Sequence, residues 1–150
     1  MLGRSGVSRD KREGDGATPA GNFKLRKVLY RADRTNKPKT SLLTTPIGEN
    51  DGWCDEPGDP FYNCAVEIPY RANAESLWRK DNRYDLLVVI GYNDDPVEIG
   101  AGSAIFMHLI QDDGDPTAGC IALSLSDLSE ILEVVRLDSF IEINARLSTI

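Results

Sequence analysis

The chain has 150 residues, of which 41% are hydrophobic and 27% are charged, a composition typical of one globular domain over residues 1–150 rather than a disordered tail. Its 24 acidic and 17 basic residues give a formal net charge of −7, which argues against nucleic acid as a partner. The longest aliphatic run, Leu86–Ile90, is far shorter than the ~20 residues of a membrane-spanning helix, so we expect no transmembrane segment.

The N-terminal half predicts two strands and a long irregular region. We expect a short opening strand over residues 2–7, followed by a charged, Gly- and Pro-punctuated loop over residues 9–21. Residues 23–30 alternate apolar and basic side chains with one break at Lys27, the pattern of a half-exposed strand. Residues 31–69 form a long irregular segment, which predicts either a functional loop that covers part of the domain or a set of short strands.

The C-terminal half predicts a buried sheet. Residues 72–80 predict a short helix, and the apolar run Leu86–Ile90 predicts a central strand. After a turn at residues 100–102, a second buried strand is expected over residues 104–110. A short strand over residues 120–123 follows.

The end of the chain predicts one helix with clear amphipathic periodicity, followed by a closing strand. Ser126 is expected to cap a helix whose apolar residues fall at i, i+3, i+4 and i+7. Phe140–Ile143 is expected to close the sheet. Strands outnumber helices and no βαβ alternation or repeat occurs, so the predicted class is mainly β, or β-rich α+β, with one helix. The apolar residues of that helix are Leu128, Ile131, Leu132 and Val135.

The N-terminus and the cysteines bear on the cellular compartment. The first twelve residues contain no apolar signal-peptide segment. We therefore expect a cytoplasmic protein, or a periplasmic or cell-envelope protein whose signal and a short N-terminal part have been removed. Cys54, Cys64 and Cys120 are an odd number without CxxC spacing, so neither a disulfide framework nor a zinc site is predicted. We expect Cys54 and Cys64 to be small apolar core residues.

One histidine and one cysteine are placed for chemistry. His108 lies in a predicted buried strand, and Cys120 follows twelve positions later, after the loop of residues 111–119. An imidazole can activate a thiol as a nucleophile. Gly119 allows a tight turn whose N–H groups, with that of Cys120, could form an oxyanion hole. The alternative is that both side chains are ordinary core residues.

Three blocks carry a family resemblance. Residues 14–23 read GDGATPAGNF, residues 102–108 read GSAIFMH and residues 117–123 read TAGCIAL. In content, order and separation they resemble the L,D-transpeptidase catalytic domain, the YkuD-like family, and in particular its short members without a signal peptide. The likeness extends over residues 3–143. It implies a β-sandwich of mixed sheets with one helix after the cysteine strand.

The resemblance also implies an activity. Cys120 would be the nucleophile that forms a thioester at the L-centre of diaminopimelate in a peptidoglycan tetrapeptide, releasing the terminal D-alanine. His108 would be the general base, the N–H groups of Gly119 and Cys120 would hold the oxyanion, and the Thr117 hydroxyl would steady the loop. An amine acceptor gives L,D-transpeptidation. The alternatives are an L,D-carboxypeptidase that hydrolyses the same bond in recycled soluble fragments, and a peptidoglycan-binding module without catalysis.

Two substitutions depart from the family pattern. Ala118 stands where familiar members have a second histidine, and Ala122 stands where they have an arginine that contacts the substrate or oxyanion. The loop of residues 111–115 is also shorter than usual. The nucleophile and the base both remain, so the departures bear mainly on the choice of acceptor.

Other candidates for substrate binding each have a structural alternative. Basic residues beside the first block could bind a substrate carboxylate or form a solvated face. Two residues after the central strand could bind a peptide backbone or form a turn. With the serine of the second block, these candidates are Arg4, Lys11, Arg12, Tyr92, Asn93 and Ser103.

The acidic residues of the trimmed loop could orient His108 or bind a cation, or they could form a solvated turn. They are Asp112, Asp113 and Asp115. Because the chain has no second histidine, we predict no metal, and we expect no cofactor. The sequence predicts no particular oligomeric state.

Overall fold

The computed structural model describes residues 1–111 and 114–145. This part of the chain forms short strands and one helix, α1, which spans Leu125–Val134. The strands in chain order are β1 (Val7–Ser8), β2 (Thr18–Pro19), β3 (Gly21–Tyr30), β4 (Thr44–Pro46), β5 (Asp51–Cys54), β6 (Ala65–Glu67), β7 (Ala74–Ser76), β8 (Leu86–Ile90), β9 (Phe106–Leu109), β10 (Ile121–Leu123) and β11 (Phe140–Ile143).

A six-stranded mixed sheet forms the centre of the fold. Its strands run in the order β10, β9, β8, β3, β11, and β4 also pairs with β3. β8 is antiparallel to both of its neighbours, whereas β10 is parallel to β9. The register of β3 against β8 shifts between Leu25 and Lys27, at the predicted break in alternation. The mainly β class with mixed sheets is confirmed.

Both faces of the central sheet are covered, which explains why β8 is apolar and buried along its whole length. One face packs against α1, whose Leu128 and Leu132 are fully buried. The other face packs against Trp53 and its neighbours in a small sheet of order β6, β5, β7. The catalytic candidates His108 and Cys120 lie toward this second face, because Phe106 and Cys120 pack with the Trp53 cluster.

The predicted helix over residues 72–80 is wrong. Ala74–Ser76 forms β7, which pairs antiparallel with β5 and sets Glu75 opposite Trp53. Leu77 is buried in the second core cluster, and the Trp78 ring stacks under the Arg31 guanidinium at 3.5 Å. These tertiary contacts outweigh the weak helical preference of so short a segment.

The ends of the chain differ from prediction in detail. The opening strand is reduced to a single bridge between Gly3 and Thr117, with the strand proper only at Val7–Ser8. Ser124, not Ser126, caps α1, because its side chain accepts an N–H of the first helical turn at 3.1 Å. The irregular region of residues 31–69 contributes β4, β5 and β6, so it includes a set of short strands.

Within residues 1–111 and 114–145, no helix combines the length and the apolar character needed to cross a bilayer.

Candidate active site

His108 and Cys120 line one cleft of about 170 Å³. His108 lies in β9, and Cys120 directly precedes β10, the parallel neighbour of β9. The register sets Ala122 beside His108, so Cys120 lies two residues back along the sheet, next to Phe106. The Phe106 N–H points at the Cys120 sulfur, with a nitrogen to sulfur distance of 3.4 Å. Two adjacent strands therefore bring together residues twelve positions apart.

The imidazole of His108 is held in one tautomer. Its Nδ1 lies 2.9 Å from the Leu109 carbonyl oxygen, which can only accept, so Nδ1 carries the hydrogen and Nε2 keeps its lone pair. The side chain is only 3% exposed and packs edge-on against Tyr84, with ring centroids 5.5 Å apart. Burial lowers the pKa of His108 to about 4. The imidazole is therefore neutral at physiological pH and can accept a proton.

The thiol of Cys120 is protonated in this arrangement. It donates to the carbonyl oxygen of Ala104 at 3.2 Å and accepts the Phe106 N–H. Removal from water raises the pKa of Cys120 to about 12, and the Phe106 N–H offsets only part of that effect. In the part of the chain that the structure describes, no hydrogen bond joins this sulfur to the imidazole. The pair is thus a neutral thiol with a neutral imidazole.

The turn before Cys120 is fixed by Thr117. The Thr117 hydroxyl donates to the Cys120 carbonyl at 2.6 Å and accepts the Gly119 N–H at 3.1 Å. Gly119 has φ +142°, and a Cβ there would lie 2.8 Å from the Ala17 carbonyl oxygen, so the position needs glycine. The Gly119 N–H already has an acceptor in this structure, and its role at the oxyanion stays a prediction. The Cys120 N–H remains the candidate donor.

Asn63 organises the support of the thiol, a role that no sequence pattern indicates. Ala104, whose carbonyl accepts the thiol hydrogen, has φ +53°, a conformation rare for alanine. Its N–H donates to Asn63 Oδ1 at 3.0 Å, and the Trp53 indole donates to the same oxygen at 2.9 Å. The Asn63 amide nitrogen donates to the carbonyls of Tyr92 and Asn93. No periodicity or motif links Asn63 to these partners.

We expect Asn63→Ala to destabilise the protein by about 2–4 kcal/mol, because it leaves buried donors and acceptors without partners. Asn63 is 6% exposed and serves four such groups. Urea unfolding measures the change. The exposed Asn36→Ala is the matched control and should shift stability by less than about 0.5 kcal/mol. Equal midpoints for the two variants would contradict the role given to Asn63.

Glu13, directly before the first sequence block, bonds at the cleft to the second block and to Tyr62. One carboxylate oxygen of Glu13 accepts both the Tyr62 hydroxyl and the Ser103 hydroxyl, and the Gly102 N–H donates to the Tyr62 oxygen at 3.0 Å. Burial and the adjacent carboxylate raise the pKa of Tyr62. Ser103 lines the cleft as expected of a binding residue, but its hydroxyl is used to hold this loop.

The remaining candidates divide between the cleft and the surrounding loops. Arg4 and Lys11 line the cleft, and the Lys11 ammonium pairs with Asp15. Arg12, Tyr92 and Asn93 do not line it, and a role for them in substrate binding stays a prediction. In this structure their polar groups form hydrogen bonds within loops. The Arg12 N–H donates to the Asp15 carboxylate, and the Tyr92 hydroxyl donates to the Ala101 carbonyl. The Asn93 side chain bonds to Glu98 and Gly102.

Several cleft residues had no signal in the sequence. Glu75 reaches the cleft from β7, where its carboxylate accepts the Tyr84 hydroxyl at 2.7 Å and lies 3.5 Å from the Arg79 guanidinium. Burial raises the pKa of Glu75, and it also raises that of Asp55, another cleft residue. Because a helix is predicted over residues 72–80, the sequence does not indicate that Glu75 faces the cleft from a strand. Arg83, in the turn before β8, also lines the cleft.

The other cysteines and acids lie apart from this chemistry. Cys54 is fully buried, as predicted, whereas Cys64 is half-buried, and both are free thiols. Asp112 and Asp113 fall outside the described residues. Among residues 1–111 and 114–145, no group of three or more His, Cys, Asp and Glu side chains is arranged to hold a metal ion.

Comparison with known proteins gives one finding. A family model described as YkuD, the L,D-transpeptidase catalytic domain, matches residues 1–143. Searches of curated proteins and of solved structures each found no match. The matched segment contains every residue of the cleft.

Proposed function

The chain belongs to the YkuD family of L,D-transpeptidase catalytic domains, which act on peptidoglycan, and we propose that Cys120 is its nucleophile and His108 its general base. The substrate is a stem tetrapeptide, attacked at the bond between the L-centre of diaminopimelate and the terminal D-alanine. One observation carries this proposal. The only imidazole of the chain and a thiol line the same cleft, and the imidazole keeps an unprotonated nitrogen.

Acylation moves one proton and exchanges one bond. The Cys120 S–H proton passes to Nε2 of His108 while the sulfur bonds to the carbonyl carbon. The Cys120 N–H supports the resulting oxyanion. As the tetrahedral intermediate collapses, the C–N bond breaks and the imidazolium returns the proton to the leaving amine of D-alanine. The products are a Cys120 thioester and free D-alanine.

Deacylation decides between the two reactions. An amine acceptor that attacks the thioester forms a new peptide bond, which is L,D-transpeptidation. Water in the same position gives a tripeptide, which is carboxypeptidase action. In both cases His108 takes the proton of the attacking group and returns it to the departing thiolate.

The neutral resting pair predicts an unusual pH profile. The kcat/KM for tetrapeptide should stay constant through the neutral range and fall only as the pH approaches 4, where His108 becomes protonated and can no longer act as a base. No alkaline limb should appear until the pH approaches 12, the pKa of Cys120. Initial rates across a pH series measure this. A bell-shaped profile with both limbs near neutrality would indicate a thiolate–imidazolium pair instead.

Mass spectrometry of one reaction mixture tests the proposed function. The protein is incubated with disaccharide-tetrapeptide and a free D-amino acid as competing acceptor. Exchange of the terminal D-alanine, or a cross-linked dimer, indicates transpeptidation, and tripeptide alone indicates a carboxypeptidase. Unchanged substrate would contradict the proposal and favour a binding module. The Cys120→Ala protein should give no product, and Cys64→Ala should behave as the unaltered chain.

A further inference from the structure

Arg83 brings a cation without a close ion-pair partner into the cleft. Within residues 1–111 and 114–145, its buried Nε has no hydrogen-bond partner and its guanidinium forms no ion pair. A buried, unpartnered N–H group is costly and therefore uncommon. Five other arginines each pair with a carboxylate, namely Arg26, Arg31, Arg34, Arg71 and Arg79.

The backbone fixes Arg83 beside the general base. Its N–H donates to the Asp81 carboxylate at 3.1 Å, and its carbonyl accepts the Leu109 N–H at 3.0 Å. Leu109 directly follows His108 in β9. The positive charge of Arg83 adds slightly to the lowering of the His108 pKa and opposes part of the burial-driven rise in the Cys120 pKa.

The Glu75 carboxylate, which also lines the cleft, already has other partners. Glu75 lines the same cleft, but its carboxylate accepts the Tyr84 hydroxyl and faces Arg79. It forms no ion pair with Arg83 at 4 Å or less. The guanidinium therefore keeps donors for an incoming anion, in a cleft where removal from water strengthens such contacts.

Position 122, beside His108 in the sheet, holds an alanine. Ala122 pairs with His108 across the β9–β10 ladder, so the two side chains share one face of the sheet. Ala122 is 3% exposed and carries no charge. Three cationic side chains from other parts of the chain line the cleft, namely Arg4, Lys11 and Arg83, and Arg83 reaches it from the turn before β8.

We propose that Arg83 is the carboxylate-binding residue of this cleft and takes the terminal carboxylate of the leaving D-alanine. The inference rests on the proposed function. The leaving amine must lie beside His108 to receive its proton, and in an α-amino acid the carboxylate is one carbon away from that amine. A guanidinium beside the imidazole is then placed for a bidentate contact. Arg83 would restrict the enzyme to peptides that end at this residue.

Paired substrates test the inference. The unaltered protein should prefer a tetrapeptide ending in D-alanine over the same peptide ending in D-alaninamide by about 10- to 100-fold in kcat/KM, the range for a hydrogen bond to a charged group. Arg83→Met should process both substrates at the slower rate, and Arg83→Lys should recover part of the preference. A merely structural role would lower both rates and leave the ratio unchanged, which would overturn the inference. Arg136→Met, at an exposed arginine after α1, is the matched control and should keep the full preference.

Alkylation separates this inference from the proposed function, because it needs no peptide substrate. The ratio of iodoacetate to iodoacetamide labelling at Cys120, located by peptide mass mapping, should fall several-fold in Arg83→Met and stay unchanged in Arg136→Met. If this ratio depends on Arg83 while tetrapeptide is not processed, the carboxylate site stands and the stem-peptide substrate is refuted. If tetrapeptide is processed but neither ratio depends on Arg83, the inference is refuted and the proposed function stands.

Discussion

The Cys120→Ala protein is expected to lose stem-peptide turnover by about 10⁴-fold or more, the largest effect of any single substitution in the chain. The thiol lines the same cleft as the imidazole of His108, and alanine leaves no atom to form the thioester. The fold should survive, because alanine is smaller and only two weak sulfur hydrogen bonds are lost. Product formation by mass spectrometry, with urea unfolding as the check on folding, measures both effects.

Cys64→Ala is the matched control for that prediction. Cys64 is half-buried and free, and it lies outside the cleft. Its sulfur only approaches the Tyr62 carbonyl at 3.6 Å, so its loss should leave turnover unchanged. Equal turnover by the Cys120→Ala protein and the unaltered chain would show that Cys120 is not the nucleophile.

The His108→Gln protein is expected to lose about 10²- to 10⁴-fold in kcat, the usual contribution of a positioned general base. Glutamine is polar and of similar size, so it is the mildest replacement for a buried imidazole. Without a base, attack depends on the small thiolate fraction of Cys120, whose pKa is raised to about 12. The residual rate should therefore rise about tenfold per pH unit through the neutral and alkaline range, whereas the unaltered protein shows a flat profile.

Initial rates of both proteins across a pH series measure this difference. A flat profile in the His108→Gln protein would show that another group takes the thiol proton. Glu75 and Asp55 would then be the groups to replace next, because both line the cleft and burial raises the pKa of each.

The sequence predicts best where the core determines the structure. The run Leu86–Ile90 is apolar because both faces of β8 are covered, and β3 loses its alternation at Lys27 because its register shifts there. The meeting of His108 and Cys120 is also predictable. Each belongs to a short apolar stretch, and the strands of those stretches are neighbours in the sheet.

The supports of the site could not be predicted, because they depend on long-range pairing. Asn63 reaches Ala104, and Glu75 reaches the cleft, only after β5 pairs with β6 and β7. Arg83 is placed by a hydrogen bond from Leu109, 26 positions along the chain. Local patterns carry no information about such contacts, and in residues 72–80 the local helical preference indicated the wrong element.

The formation of a thioester at Cys120 can be observed directly. The protein is mixed with disaccharide-tetrapeptide, quenched in acid at short times and measured as an intact mass. We predict an adduct equal to the disaccharide-tripeptide acyl group, mapped to Cys120, removed by hydroxylamine and absent from the Cys120→Ala protein. Product formation with no adduct at any time, and at the same rate in the Cys120→Ala protein, would contradict covalent catalysis by this thiol.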